Sequence, residues 1–164
     1  GIENICAAFK KIIEENKDTE LVYLVHLNPI VKDTVYRILG GTERVHLLPP
    51  LDTKETHNLM NKCYMVMTDS GGLQEEAPHL GKPVLVLRNV TERPEAVEAG
   101  TVRLVGTDID KIIENANDIL NNKDEYSKME KSINPYGDGM ASERITQSIL
   151  YYFKYVDNRP SEFK

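Results

Sequence analysis

Cys63-Tyr64-Met65-Val66-Met67-Thr68-Asp69-Ser70-Gly71-Gly72-Leu73-Gln74-Glu75-Glu76-Ala77-Pro78 reads as a buried strand, a tight glycine turn and the opening of a helix. The apolar run from Cys63 to Met67 is the strand, and Ser70 is a favourable helix cap. The first amides of a helix lack internal acceptors, and the helix dipole adds partial positive charge there. Such a junction therefore attracts anions. Gly71 and Gly72 would let a phosphate approach the backbone with no Cβ in the way. Ser-Gly-Gly alone is also an ordinary cap and turn, and acids such as Glu75 and Glu76 suit any first turn. Neither G-x-G-x-x-G nor G-x-x-x-x-G-K-[ST] occurs in the chain. Taken with a second loop, Thr91-Glu92-Arg93-Pro94-Glu95-Ala96, the stretch predicts a phosphorylated ligand gripped by Ser70, Gly71 and Gly72.

Outward from this junction, the chain alternates helices and short apolar strands. Helical spacing of Ile2, Ile5, Cys6, Phe9, Ile12 and Ile13 predicts a helix over 2–15. Strands are expected at 21–25, 45–48, 84–87 and 102–105, with little polar alternation, as in buried parallel sheets. Helices are expected at 29–39, 53–61, from Ser70 to the stop at Gly81, and at 108–121, 124–131 and 141–155. The last six residues carry no pattern. This alternation predicts an α/β, Rossmann-like three-layer fold: a parallel sheet with helices on both faces.

Composition bounds the function. A chain of 164 residues with 40% hydrophobic residues supports one core. Twenty basic against 26 acidic side chains give a net charge of −6, which argues against a nucleic-acid partner. No run approaches the length of a membrane span, and no signal peptide is visible. Cys6 and Cys63 lie in apolar stretches and read as buried thiols of a cytoplasmic protein. His46 reads as structural. His57 and His79 sit on helices without ligand spacing, so no metal is expected.

Ligands of such sheets bind beyond the carboxyl ends of the strands. That edge should carry His26, Pro49 to Asp52, Ser70, and Arg88 to Arg93. Arg93, flanked by Glu92 and Glu95, also reads as a surface ion pair, and His26 as a structural hydrogen-bonder. Tyr151, Tyr152, Phe153 and Tyr155 crowd the end of the last helix, either as core or as surface for another domain.

As a whole, the sequence resembles the non-hydrolysing UDP-N-acetylglucosamine 2-epimerases of bacteria. The resemblance is carried by Thr68 to Gly72, Gln74 to Pro78, Gly81 to Arg88, Thr91 to Glu95 and Glu98 to Thr101. Val25 to Pro29, Arg44 to Leu47 and Asn134 to Gly139 extend it across most of the chain. It implies a glycosyltransferase-B-type fold of two Rossmann-like domains, of which residues 1–164 would be the single C-terminal, UDP-binding one. The chain starts at Gly1, just after the place where the family carries His-Arg-Arg-Glu, as an expressed fragment without the N-terminal catalytic domain would.

The resemblance further implies roles. Ser70, Gly71 and Gly72 would hold the diphosphate of UDP, Glu76 the ribose hydroxyls, and Arg93 the phosphate or a partner acid. His26 matches a residue of a regulatory UDP-GlcNAc site. The full-length enzyme would be an isomerase interconverting UDP-GlcNAc and UDP-ManNAc by UDP elimination and re-addition, without a cofactor, as a cytoplasmic homodimer serving polysaccharide synthesis. No catalytic residue is expected in this chain, and the fragment alone should be inactive. Thr56 stands where many members carry an aromatic residue near uracil, leaving base recognition to backbone groups or to an inward-turning His57. Two other readings remain: the UDP-binding half of a glycosyltransferase of the same architecture, and a non-catalytic nucleotide-sensing module.

Overall fold

The structure, a computed structural model, describes residues 1–162. Phe163 and Lys164, the end of the unpatterned tail, lie outside the described residues. The elements run α1 (Ile2–Glu15), β1 (Leu21–Leu24), α2 (Pro29–Leu39), β2 (Val45–Leu48), α3 (Thr53–Lys62), β3 (Val66–Thr68) and α4 (Gly71–His79). They continue with β4 (Val84–Val86), α5 (Pro94–Glu98), β5 (Val102–Leu104), α6 (Ile109–Asn121), α7 (Lys123–Glu130) and α8 (Ala141–Tyr152).

Local chemistry sets most of these ends. Asn28 Oδ1 accepts the Ile30 amide at 3.0 Å, with Pro29 in the first turn of α2. Asp52 and Glu55 form a reciprocal capping box on α3, at 2.7 and 3.3 Å. Beyond α4 the backbone turns at Gly81 with φ +67°, a conformation costly for any residue with a Cβ. α8 stops at Tyr152, short of the expected 155. Lys154 is left-handed, and the Tyr155 amide closes back onto the Leu150 carbonyl at 2.9 Å.

Two further boundaries differ from the sequence reading. The strand expected at 63–67 starts only at Val66, because the Cys63 amide is spent on the Leu59 carbonyl at the end of α3. The loop read at 91–96 contains the short helix α5, announced by Pro94 at its first position and Glu95 in its first turn.

All strand pairings are parallel, in two ladders: β1 with β2, and β3–β4–β5. Met67, Leu85 and Arg103 share one register. Side chains of a strand alternate between faces, and the core divides accordingly. Leu85 packs with Phe9 and Ile12 of α1, Val35 and Leu39 of α2, and Ile112 and Ile119 of α6. Val84 and Val86 point the other way, joining Met60 of α3, Ala77 of α4 and Ala96 of α5. Helices thus cover both faces of β3–β4–β5. Tyr23, Val45 and Leu47 bring the β1–β2 ladder into the first of these clusters. Its opposite face stays open: Val22 and Leu48 are exposed, and His46 pairs with Glu20 at 2.9 Å. Arg103 ties β5 to α6 and α7 through Asp118 at 2.6 Å and Glu125 at 2.5 Å.

α8 buries none of its side chains, so Tyr152, Phe153 and Tyr155 are surface rather than core. The helix is anchored through its entry loop. Asp138 accepts two hydrogen bonds from Arg144, at 2.7 and 2.6 Å, and one from the Met140 amide at 3.0 Å. These bonds, the Arg144 pair first, hold the Asp138 carboxyl far below its ordinary 3.8. A depressed carboxylate stabilises the folded form above its unfolded pKa and loses that contribution as pH falls toward the folded one. Protection of the Met140 amide from hydrogen exchange is therefore expected to fall below about pH 4. In Asp138→Asn it should be low and flat across the same range.

Candidate functional site

The carboxyl ends of the parallel strands place the β3–α4 turn and the β4–α5 loop side by side. Thr68, buried at the end of β3, accepts the Ser70 amide on Oγ1 at 3.0 Å, which sets the turn. Ser70 then caps α4 with extended backbone, but its hydroxyl bonds none of the helix amides. That hydroxyl and the first-turn amides of Gly71, Gly72 and Leu73 are left as donors at a helix start where Ser70 and Gly72 are exposed. Neither glycine has positive φ, so the turn itself does not demand them. Nor do their neighbours: a Cβ on Gly71 would sit 3.4 Å from Glu92 Oε1, and one on Gly72 3.7 Å from Glu76 Oε1, ordinary contacts with the ends of flexible side chains.

A relay through the buried Gln74 locks the two loops together. Gln74, fully buried, donates from Nε2 to the Ser70 carbonyl at 3.2 Å. Its Oε1 accepts the Thr91 hydroxyl at 2.7 Å, and Thr91 Oγ1 accepts the Arg93 amide at 3.0 Å. The turn that presents Ser70 and the residue that begins α5 are thus held by three successive hydrogen bonds. In the sequence, Gln74 and Thr91 stand out only as residues of the family resemblance. A glutamine on the inward face of a helix, between Leu73 and Ala77, was the available signal.

Arg93 is carried by this frame. Its Nε donates to Glu75 and one terminal nitrogen to the Glu92 carbonyl at 3.2 Å. The Glu75 hydrogen bond and charge raise the guanidinium's pKa further. Glu92 pairs with Arg88 at 2.6 Å. Its carboxyl is held below the usual range by a hydrogen bond from its own amide and then by Arg88. Arg93 is thus ion-paired, with Glu75 rather than with the flanking acids Glu92 and Glu95.

Glu76, one residue beyond Glu75, receives His57 Nε2 on Oε2 at 3.0 Å. His57 has a partner after all, nineteen residues away in sequence and brought across by α3. The ring is engaged with the carboxylate, on the turn after Thr56. Glu75, Glu76 and His57 line a cleft of about 310 Å³ together with Tyr136 and Gly137. A larger hollow of about 470 Å³ runs along α8 past Ser142, Thr146 and Leu150, and shares no residue with this cleft.

His26 stands apart. Its Nδ1 accepts the Asn28 amide at 3.1 Å within the turn entering α2, and its ring is exposed. Among the described residues it has no hydrogen bond or ion pair to Ser70, Glu76 or Arg93. Cys6 is buried and Cys63 half-buried, its thiol donating to the Met60 carbonyl at 3.0 Å. Burial pushes both thiols up in pKa, which suits packing rather than reaction. Among the described residues, no group of three His, Cys, Asp or Glu side chains could hold a metal ion, and no helix is long and apolar enough to cross a membrane.

Parallel strands with covering helices, and an open helix start beside an arginine loop at their carboxyl ends, define an α/β, Rossmann-like domain. The UDP-N-acetylglucosamine 2-epimerase family model matches residues 1–150, and the chain belongs to that family. A Clostridium acetobutylicum member is 72% identical over 163 residues, which is 99% of this chain and 42% of its own length. S. aureus MnaA, solved with UDP, superposes with a TM-score of 0.92 at 47% identity, over 99% of this chain and 45% of that one. The Neisseria meningitidis UDP-GlcNAc 2-epimerase, solved with UDP-GlcNAc, gives 0.86 at 43% identity, over 92% and 40%. The chain therefore spans less than half the length of the relatives it matches.

Proposed function

We propose that this chain is the C-terminal, nucleotide-holding domain of a UDP-N-acetylglucosamine 2-epimerase that interconverts UDP-GlcNAc and UDP-ManNAc by eliminating and re-adding UDP. The observation that carries the reading is the uncommitted Ser70 hydroxyl at the start of α4, joined through Gln74 and Thr91 to Arg93. Family membership and the UDP and UDP-GlcNAc bound to two relatives supply the ligand class.

In this reading Ser70 Oγ and the amides of Gly71 and Gly72 bind the diphosphate. Their weight falls on the leaving group: negative charge grows on UDP as its bond to the sugar breaks, and fixed amide dipoles stabilise it without reorganising. Arg93 adds a planar cation. Glu76 accepts the ribose hydroxyls on its two oxygens while His57 holds its orientation. Proton transfer at C2 of the sugar needs an acid/base pair, which belongs to the preceding domain of the longer protein. The resemblance extends the proposal to a cytoplasmic homodimer, with His26 in a regulatory UDP-GlcNAc site. Light scattering of the full-length protein would report the assembly.

Calorimetric titration of this chain with UDP tests the reading. Binding is expected at millimolar UDP or below, with a loss of at least tenfold in Ser70→Ala and in Glu76→Ala, since each removes a hydrogen-bonding group of the ligand. Unchanged affinity in both variants would place the nucleotide elsewhere.

A further inference from the structure

Among the described residues, the Tyr136 hydroxyl is the one buried side-chain oxygen or nitrogen with no hydrogen-bond partner. Leaving such a donor unpaired is costly, and native structures seldom do it without a use. The side chain is well fixed. Asn134 Oδ1 accepts the Tyr136 amide at 3.1 Å, and the ring packs against the cluster of Met60, Ala77, Val84 and Val86. The residue lines the same cleft as Glu75. The phenol is pushed up to about 12 by burial first, then by the negative charge of Glu95 and Glu75, with Arg93 opposing. Its geometric link to the Glu75–Arg93 pair is the cleft that Tyr136 and Glu75 line together. Glu75, about one third exposed, gives its carboxylate to Arg93.

We infer that Glu75 exchanges partners when the nucleotide binds: Arg93 leaves it for the diphosphate at Ser70 to Gly72, and the Tyr136 hydroxyl takes the vacated carboxylate. The inference rests on the nucleotide reading above and adds a residue which that reading does not use. A guanidinium that abandons a half-buried carboxylate leaves a desolvated charge behind, and that cost would count against binding. A donor already positioned on a fixed ring removes it. The unpaired phenol belongs to the free state, so satisfying it on binding favours the bound one. Tyr136 acts through Glu75 and is a positioning residue.

A double-mutant cycle in this chain tests the exchange, using Tyr136→Phe, Glu75→Ala and both together. UDP titration and denaturant unfolding with and without UDP are the readouts. Without UDP, Tyr136→Phe is expected to unfold at the same denaturant concentration as the unsubstituted chain, or a higher one, because it removes a group that had no partner. Its UDP affinity should be about tenfold weaker, the worth of a hydrogen bond to a charged group. In the Glu75→Ala background the same change should have no effect on affinity. A purely structural tyrosine would instead lower stability without ligand and weaken binding equally in both backgrounds, and either result overturns the exchange. If UDP binds and Tyr136→Phe leaves its affinity unchanged, the exchange fails while the nucleotide site stands. If the unsubstituted chain takes up no UDP at millimolar concentration, the nucleotide reading fails and carries the exchange with it.

Discussion

Leu85→Ala is expected to lower the unfolding free energy of this domain by about 2–5 kcal/mol, the range for emptying a tightly packed leucine site. Leu85 has no exposed surface and sits in the middle strand of the three-stranded ladder, between Met67 and Arg103. Its side chain meets the cluster formed by α1, α2 and α6. Backbone pairing on both sides keeps β4 from collapsing into the void, which favours the upper part of that range. Domains of this kind are stable by about 5–15 kcal/mol in total, so the loss is a large fraction. At roughly 2–4 °C per kcal/mol, the melting temperature should fall by about 4–20 °C. Ile149→Ala on α8 is the control. Ile149 is exposed on a helix that buries nothing, so a change within about 0.5 kcal/mol is expected. Differential scanning calorimetry of the two variants checks both. Equal losses would mean that α8 is not the surface helix described above.

The same residues explain what could be read beforehand. Val84 to Val86 is apolar at every position because each face of β4 meets a different helix layer, and a run without alternation signals burial on both sides. The ends of α2 and α3 were legible because Asn28, Pro29 and Asp52 act on their immediate neighbours. The Ser70 turn belongs to the same class of local signals. Long-range pairings were not legible. His57 meets Glu76 only because α3 and α4 lie over the same face of the sheet, with Met60 and Ala77 in one cluster, and Gln74 reaches Thr91 only because β4 returns the chain to β3. Nothing in the spacing of those residues announces the contact. The open face of the β1–β2 ladder was also hidden. Val22 and Leu48 look like core in sequence, and their exposure depends on where helices lie over the sheet.

Gln74→Leu should separate the frame of the site from its ligand groups. Leucine fills a similar volume but can neither donate to the Ser70 carbonyl nor accept from Thr91. The half-buried Thr91 hydroxyl then loses its acceptor, and a stability loss of about 1–3 kcal/mol is expected. The larger effect falls on UDP affinity. With the relay cut, Ser70 and Arg93 are no longer held by one another, and a site that depends on fixed donors weakens by at least tenfold in the proposed function. Gln74→Glu gives this argument a pH axis. An ionised carboxylate at a fully buried position still accepts from Thr91 but repels the Ser70 carbonyl, and burial raises its pKa. Once protonated it donates again, as the amide did. Its UDP affinity relative to the unsubstituted chain should therefore rise as pH falls through the raised pKa, while the same ratio for Gln74→Leu stays flat. Parallel ratios in the two variants would show that Gln74 fills space without aligning the loops. Recovery in Gln74→Glu alone would identify the hydrogen bond to Ser70 as what holds the turn in its binding geometry.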